Sequence, residues 1–246
     1  MEFRDEPRDV EAQAEVRLRA LPFAASLAAH PVIDLALLKL PTFHTGVVAG
    51  SLFRIGVGAT PFLLPLLLQL GFGMNPLQSG LLTCATAVGA MFMKTLTTII
   101  LKRFGFRKVL TVNALVASAA VGAYGLFTAA TPHLVIFLVL LASGCLRSLQ
   151  FTSLQAISFA EVTRETMSQA SSIASMAQRL AQSLGVAIGA YALQVAGLAQ
   201  GHADVVVADF PPAFIAIALL SAVSLFFHAA LPADAGAEVS GHGRGK

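Results

Sequence analysis

Four cations interrupt otherwise apolar stretches of this chain: Arg54, Lys94, Arg147 and Arg179. Arg147 is followed by Gln150, Thr152, Ser153 and Gln155. Arg179 lies between Gln178 and Gln182, which are spaced i, i+4, with Ser175 and Ser183 on neighbouring turns. Gln69 and Asn113 add single polar points elsewhere. A guanidinium held at the middle of a bilayer costs at least about 2.5–3.5 kcal/mol on insertion scales, so such residues face a bundle interior or a wet cavity. The chemistry this pattern suits is binding along a pathway. Its candidate lining is Arg54, Gln69, Arg147, Gln150, Gln178, Arg179 and Gln182. Lys94 is a weaker candidate, because it stands close enough to the end of its stretch to snorkel. Isolated Ser and Thr read better as glue between helices. None of the thirteen acids falls within the apolar stretches, and Glu161 only borders one. The compensating negative charge is therefore expected on a substrate, a lipid or a partner.

Bond-making chemistry has no support in the motifs. The sequence lacks GxSxG, HExxH, a glycine-rich phosphate loop and paired carboxylates inside a stretch. Cys84 and Cys145 lie in apolar runs and provide neither a disulfide framework nor metal-ligand spacing. No enzyme activity, metal or cofactor is expected. His44, His133 and His228 fall near the ends of stretches and are expected to play interfacial roles.

The elements that must position these residues follow from composition. Of 246 residues, 56% are apolar and 12% charged, with a net charge of +3. Soluble domains carry about 25% charged residues, so this balance describes an integral membrane protein. Six stretches are long enough for about 30 Å of hydrocarbon: 46–70, 77–101, 109–130, 133–158, 169–199 and 211–231. They must be helices, because lipid satisfies no backbone hydrogen bond and the alternation of a β-barrel is missing. The expected fold is all-α, with a six-helix transmembrane domain over 43–232. Residues 1–42 read as a cytoplasmic and interfacial linker and 233–246 as a flexible cytoplasmic tail. Within the linker, 31–40 is too short to cross and is expected to lie flat at the interface. Met1 to Arg19 mixes acidic and basic residues and does not read as a secretory signal.

Basic residues set the orientation. Placing the N-terminus in the cytoplasm puts twelve of the sixteen Lys and Arg residues on that side, while the opposite loops carry none. This asymmetry predicts a multi-pass cell (inner) membrane protein with both termini cytoplasmic. It also leaves the basic residues at membrane edges, so no nucleic-acid partner is expected. Two ridges of small residues, Ala177–Ala181–Gly185–Gly189 and Gly46–Gly50–Arg54–Gly58, suit close helix approach. Pro61 and Pro65 are expected to bend the first span.

The runs RIGVGATPFLLPLLLQLGFG at 54–73, QSGLLT at 78–83, GFRKVL at 105–110, RSLQFTSLQA at 147–156 and SLGVAIGA at 183–190 resemble one family in order. From about His30 to Pro232 the chain resembles the C-terminal half of a major facilitator superfamily transporter of the fourteen-span drug:proton antiporter family. In that family the loop after the second helix of a half carries G-x-x-x-D-R-x-G-R-[KR]. Arg103, Gly105 and Arg107 match it, and Lys108 follows. Thr98 stands for the first Gly, Lys102 for the Asp and Phe106 for the Arg after Gly105. These departures remove any gating contact through the Asp.

The resemblance implies two six-helix halves with substrate bound between them at midplane. It also implies a proton-titrating acid in the first half. The expected function is therefore a proton-coupled multidrug or small-molecule exporter, here as a C-terminal half. The alternative is a truncated remnant or interaction module that moves nothing without another half. The implied partners are the lipid bilayer, a small-molecule substrate, and either an N-terminal half or a second copy of this chain. An unrelated six-helix channel would need a repeated pore motif or a re-entrant loop, and neither is present.

Overall fold

The computed structural model describes residues 35–232 and 235–241. The readings made for 1–34, including most of the linker, lie outside those residues. Six long apolar helices make up the described fold: α1 Pro41–Gly71, α2 Pro76–Phe104, α3 Phe106–Leu126, α4 His133–Ser158, α5 Met167–Ala199 and α6 Val207–Ala229. A short α7, Ala237–Ser240, follows between Gly236 and Gly241, both at positive φ. The chain is an all-helical, multi-pass membrane protein.

Local signals explain the helix ends. Pro41 opens α1, with its fixed φ suited to a first helical position, so this helix starts earlier than 46. Before it, Leu35–Lys39 forms a 3-10 turn. Leu37 is buried against Phe43, Val47, Ala170 and Ile173, while Lys39 is exposed. This turn packs onto α1 and α5, whereas the sequence suggested an interfacial segment. Asn75 caps α2: its side chain accepts from Gln78 N at 2.8 Å, and Gln78 Oε1 accepts from Asn75 N at 3.2 Å. The link between α2 and α3 is Gly105 alone, at φ 75° and ψ 163°. A residue with a Cβ is strained there, which accounts for the glycine in GFRKVL.

α1 is irregular. Thr45–Ala49 and Leu67–Gly71 are π-helical, and the α-helical run breaks at Ala59 between Gly50–Gly58 and Thr60–Leu66. Pro61 and Pro65 each lack the N–H that would close a helical turn, so the break falls where the backbone has lost donors. Such irregular backbone is tolerated in a membrane only when protein or a wet cavity surrounds it.

Small residues set the tightest packing. Gly89 on α2 lies against the Leu141 carbonyl of α4, and Gly144 against the Thr86 carbonyl of α2, where a Cβ would overlap the backbone oxygen. At this crossing Cys145 Sγ donates to Gly89 O at 3.2 Å and Ser148 Oγ to Ala90 O at 2.9 Å. On α5, Gly185 and Gly189 let α1 approach at Ile55, Gly58 and Ala59. α1 also packs on α6 and α4, and α3 packs on α4 and α6. α4 and α5 flank α1 without extensive contact with each other. That arrangement leaves a groove along α1.

Candidate functional site

The groove is lined by one stripe from each of three helices. α1 contributes Gly46, Val47, Arg54, Val57, Gly58 and Pro61. α4 contributes Arg147, Phe151, Gln155 and Ser158, and α5 contributes Ser171, Ser175, Gln178, Gln182 and Val186. The α4 and α5 sets follow three- and four-residue steps, the spacing of one helical face. Residues 46 to 60 of α1 advance about 21 Å at 1.5 Å per residue, a large part of the hydrocarbon thickness.

Two cavities lie along this groove and meet at Arg54, and a third lies among α1, α2, α3 and α4, bordered by Arg147. The first is small, about 40 Å³, and polar, with Gln155, Ser158, Ser171, Ser175 and Gln178 on one side and Arg54 at its end. The second is about 260 Å³ and is lined by Arg54, Arg147, Gln182, Phe151, Val57, Gly58, Pro61 and Val186. The third, about 20 Å³, continues from Arg147 to Thr60, Thr86, Ser143 and Tyr124. Arg54 borders the first two cavities and Arg147 the last two.

Arg54 is 6% exposed, and its Nε has no hydrogen-bond partner. Its guanidinium sits over the ring of Phe151, 5.4 Å from the centroid. Phe151 is itself held edge-on by Phe53, with centroids 6.0 Å apart and an interplanar angle of 89°. Gly50 leaves room for the side chain, since a Cβ there would stand 2.8 Å from Arg54 Nη1. The cation is thus oriented by an aromatic face and left without a carboxylate among the described residues.

The sequence candidates separate on this geometry. Arg54, Arg147 and Gln182 share one cavity, and Gln178 joins Arg54 in the next. Gln150 is placed differently. It is fully buried, accepts from Asn113 Nδ2 at 2.8 Å and donates to Leu110 O at 3.2 Å, tying α4 to α3. Arg179 and Lys94 are exposed on α5 and α2, and neither lines these cavities. Gln69 is half-buried in the last turn of α1.

Residues 46–244 match the Major Facilitator Superfamily. That match covers most of the chain. The chain belongs to the Major Facilitator Superfamily. Its relatives include proteins named "Putative multidrug resistance protein MdtD". The one from Klebsiella pneumoniae subsp. pneumoniae is 30% identical over 213 residues, covering 85% of this chain and 45% of the relative. The one from Salmonella paratyphi A is 31% identical over 184 residues, covering 71% and 37%. The one from Pectobacterium atrosepticum is 31% identical over 164 residues, covering 67% and 35%. The chain therefore spans less than half the length of these relatives. That superfamily is one of membrane transporters.

Within this superfamily member, the basic loop sits at the α2–α3 link. Arg103, Arg107 and Lys108 are exposed around the buried Gly105, and the Arg103 guanidinium lies 5.7 Å from the centre of the Phe104 ring. Phe106, which replaces the pattern's Arg, is 1% exposed and opens α3 as a core residue.

Several residues of the groove went unread in the sequence. Phe151 lines it, Thr60, Ser143 and Tyr124 line the small cavity beyond Arg147, and the signal for Phe151 was its i+4 spacing from Arg147. Asp209 corrects the expectation that the spans hold no acid. It is fully buried at the start of α6 and accepts from Val206 N at 2.8 Å and from Gln200 Nε2 at 3.3 Å. His202 Nδ1 lies 2.7 Å from the same carboxylate. A cavity of about 260 Å³ at this end of the bundle borders His202, Asp204, Asp209 and Gln194. His228 is likewise fully buried, with neither ring nitrogen partnered, where an interfacial place was expected. The segment that holds it, Ser224–Ala229 near the end of α6, packs on α1 and α3.

Proposed function

We propose that this chain is the C-terminal half of a proton-coupled multidrug or small-molecule exporter. Its share of the substrate path is the groove between α1, α4 and α5 that carries Arg54 and Arg147. The observation that carries the proposal is the convergence of the buried Arg54, the half-buried Arg147 and Gln182 on one cavity. The printed names of the relatives, which concern multidrug resistance, support the class of cargo. Gln178 extends the lining toward one end. Arg179, Gln150, Gln69 and Lys94 line neither cavity and are left out of this path.

Two observations support the need for a second half. The relatives are more than twice the length of the matched region. In addition, only 22% of the central stretch of α2 and 28% of that of α5 is buried, against 61% for α1. The uncovered faces carry Leu81, Met91, Phe92 and Lys94 on α2 and Leu180, Leu184 and Tyr191 on α5. The proposed place is the inner membrane, with both termini cytoplasmic, on the strength of the basic-residue asymmetry. The coupling acid is assigned to the other half. Asp209 is committed to Val206, Gln200 and His202, and Arg keeps its proton throughout.

The test is export of the dye ethidium, and of the aryl anion 2-naphthalenesulfonate, from proteoliposomes under an imposed proton gradient. This chain alone is expected to move neither. Co-reconstituted with the part of MdtD that precedes the matched region, it is expected to export at least one, and Arg54→Gln or Arg147→Gln to abolish that export. Gradient-driven export by this chain alone, or no export of either dye by the pair, contradicts the proposal.

A further inference from the structure

Resting on that reading of the path, we propose that the cavity between Arg54 and Arg147 is a binding site for an anionic group. The group is a carboxylate, sulfonate or phosphate attached to an apolar body.

Charge is the first argument. Two guanidiniums line the cavity, and no acid does. Among the described acids, Glu161 accepts from Thr42 N and Oγ1 at 3.3 and 2.7 Å, Asp209 is bound at the α5–α6 end, and Glu165, Asp204 and Glu238 lie outside the cavity lining. A cationic ligand would meet two like charges at close quarters in a medium that screens them poorly. An anion would supply the missing counter-charge.

Geometry is the second. The Arg54 side chain is more than nine-tenths buried and its Nε is unpartnered. Phe151 packs against the guanidinium, with the ring centre 5.4 Å from its central carbon, and supplies no acceptor to its N–H groups. A planar fork of N–H groups matches two oxygens of one anionic group. Arg147 and the Gln182 amide border the same space and can donate to a further oxygen.

The walls are the third. Val57, Pro61, Phe151 and Val186 line the remainder of the cavity with apolar surface, and it is open on one side. At about 260 Å³ the space is slightly below the roughly 300–1,000 Å³ typical of sites for drug-sized ligands. It suits a charged head with about one or two rings. The anion can come from a soluble molecule or from a phospholipid headgroup, which share this chemistry.

The decisive experiment is equilibrium dialysis of 2-naphthalenesulfonate against the full 246-residue chain in dodecyl maltoside, with protein-free micelles as blank. The uncharged 2-naphthol and the cationic 2-naphthyltrimethylammonium serve as matched probes. The expected result is saturable binding of the sulfonate at about one per chain, at least tenfold tighter than either matched probe. Arg54→Gln and Arg147→Gln are each expected to weaken it at least tenfold, while Arg179→Gln leaves it unchanged. If Arg54→Gln does not fold, Arg147→Gln decides. Displacement by inorganic phosphate identifies a soluble-anion site, and displacement only by dihexanoyl phosphatidylglycerol identifies a headgroup site. Either outcome supports an anion site. Equal binding of the three probes, or wild-type affinity in both arginine variants, overturns the proposal. Arginine-dependent export of ethidium would then leave the path standing with a different cargo. Arginine-dependent sulfonate binding without export by the paired halves would sink the transport reading and leave the site.

Discussion

Two places in this molecule bury charge, and they treat it in opposite ways. At the α5–α6 end, Asp209 is wrapped by a backbone N–H, an amide and an imidazole from the nine residues before it. In the middle of the groove, Arg54 has an aromatic ring beneath it and an unpartnered Nε. A buried ion with all its partners supplied locally organises structure, and here it closes the loop between two helices. A buried ion denied partners is expensive, and its retention points to a partner that arrives from outside the described fold. The contrast separates a structural charge from a functional one within a single bundle.

The sharpest way to break this comparison is to remove the two charges separately. Asp209→Ala leaves Val206 N, Gln200 and His202 without their acceptor, and charged-group hydrogen bonds are worth about 1.5–3 kcal/mol each. We expect a loss of about 3 kcal/mol, measured as thermal unfolding in detergent, with anion binding retained by whatever fraction stays folded. Arg54→Met is expected to do the reverse. It removes an uncompensated guanidinium from the interior, so stability should hold or rise by up to about 2.5 kcal/mol. Binding of 2-naphthalenesulfonate should be lost. Destabilisation by Arg54→Met equal to that of Asp209→Ala would mean that Arg54 is structural too.

A smaller effect sharpens the same line. Gln150 lies three residues from Arg147 yet serves α3 through Asn113 and Leu110. Replacing it by Leu should cost about 1 kcal/mol, within the range of interhelical hydrogen bonds in membranes. Sulfonate binding should not change. The smallest effect is assigned to Arg179→Gln. With Arg179 exposed on α5, we expect unfolding temperature and binding both to match the wild type.

Much of the fold was legible in the residues, because hydropathy and length identify spans when the environment is lipid. The ends were less so. Pro41 extended α1 toward the linker, and a 3-10 turn at Val207–Asp209 carried α6 back past Pro211 and Pro212 to include Asp209. That short extension is why the acid was missed. Within the site, Arg147, Phe151 and Gln155 were readable as one stripe by i, i+4 spacing, and Gln178 and Gln182 as another. Arg179 was grouped with them by proximity in sequence, but one residue along a helix turns the side chain about 100° away. Gln150 was misread for the same reason, being i+3 from Arg147 on the flank that meets α3. The pairing of Gly89 and Gly144 had no sequence signal, since it depends on which helices cross.

The central claim is that the groove carrying Arg54 and Arg147 is a wet path and the opposite side of α5 is not. It is tested by single cysteines in a background of Cys84→Ala and Cys145→Ser, with this chain in a lipid bilayer alongside the MdtD segment that precedes the matched region. Gln182 lines the cavity, while Leu180, 65% exposed, points away from it on the same helix. Gln182→Cys is expected to react with a membrane-impermeant thiol reagent, and 2-naphthalenesulfonate is expected to slow that reaction at least tenfold. Leu180→Cys is expected to remain unlabelled. Equal labelling at both positions, or a Gln182→Cys that stays unreactive, would contradict the account.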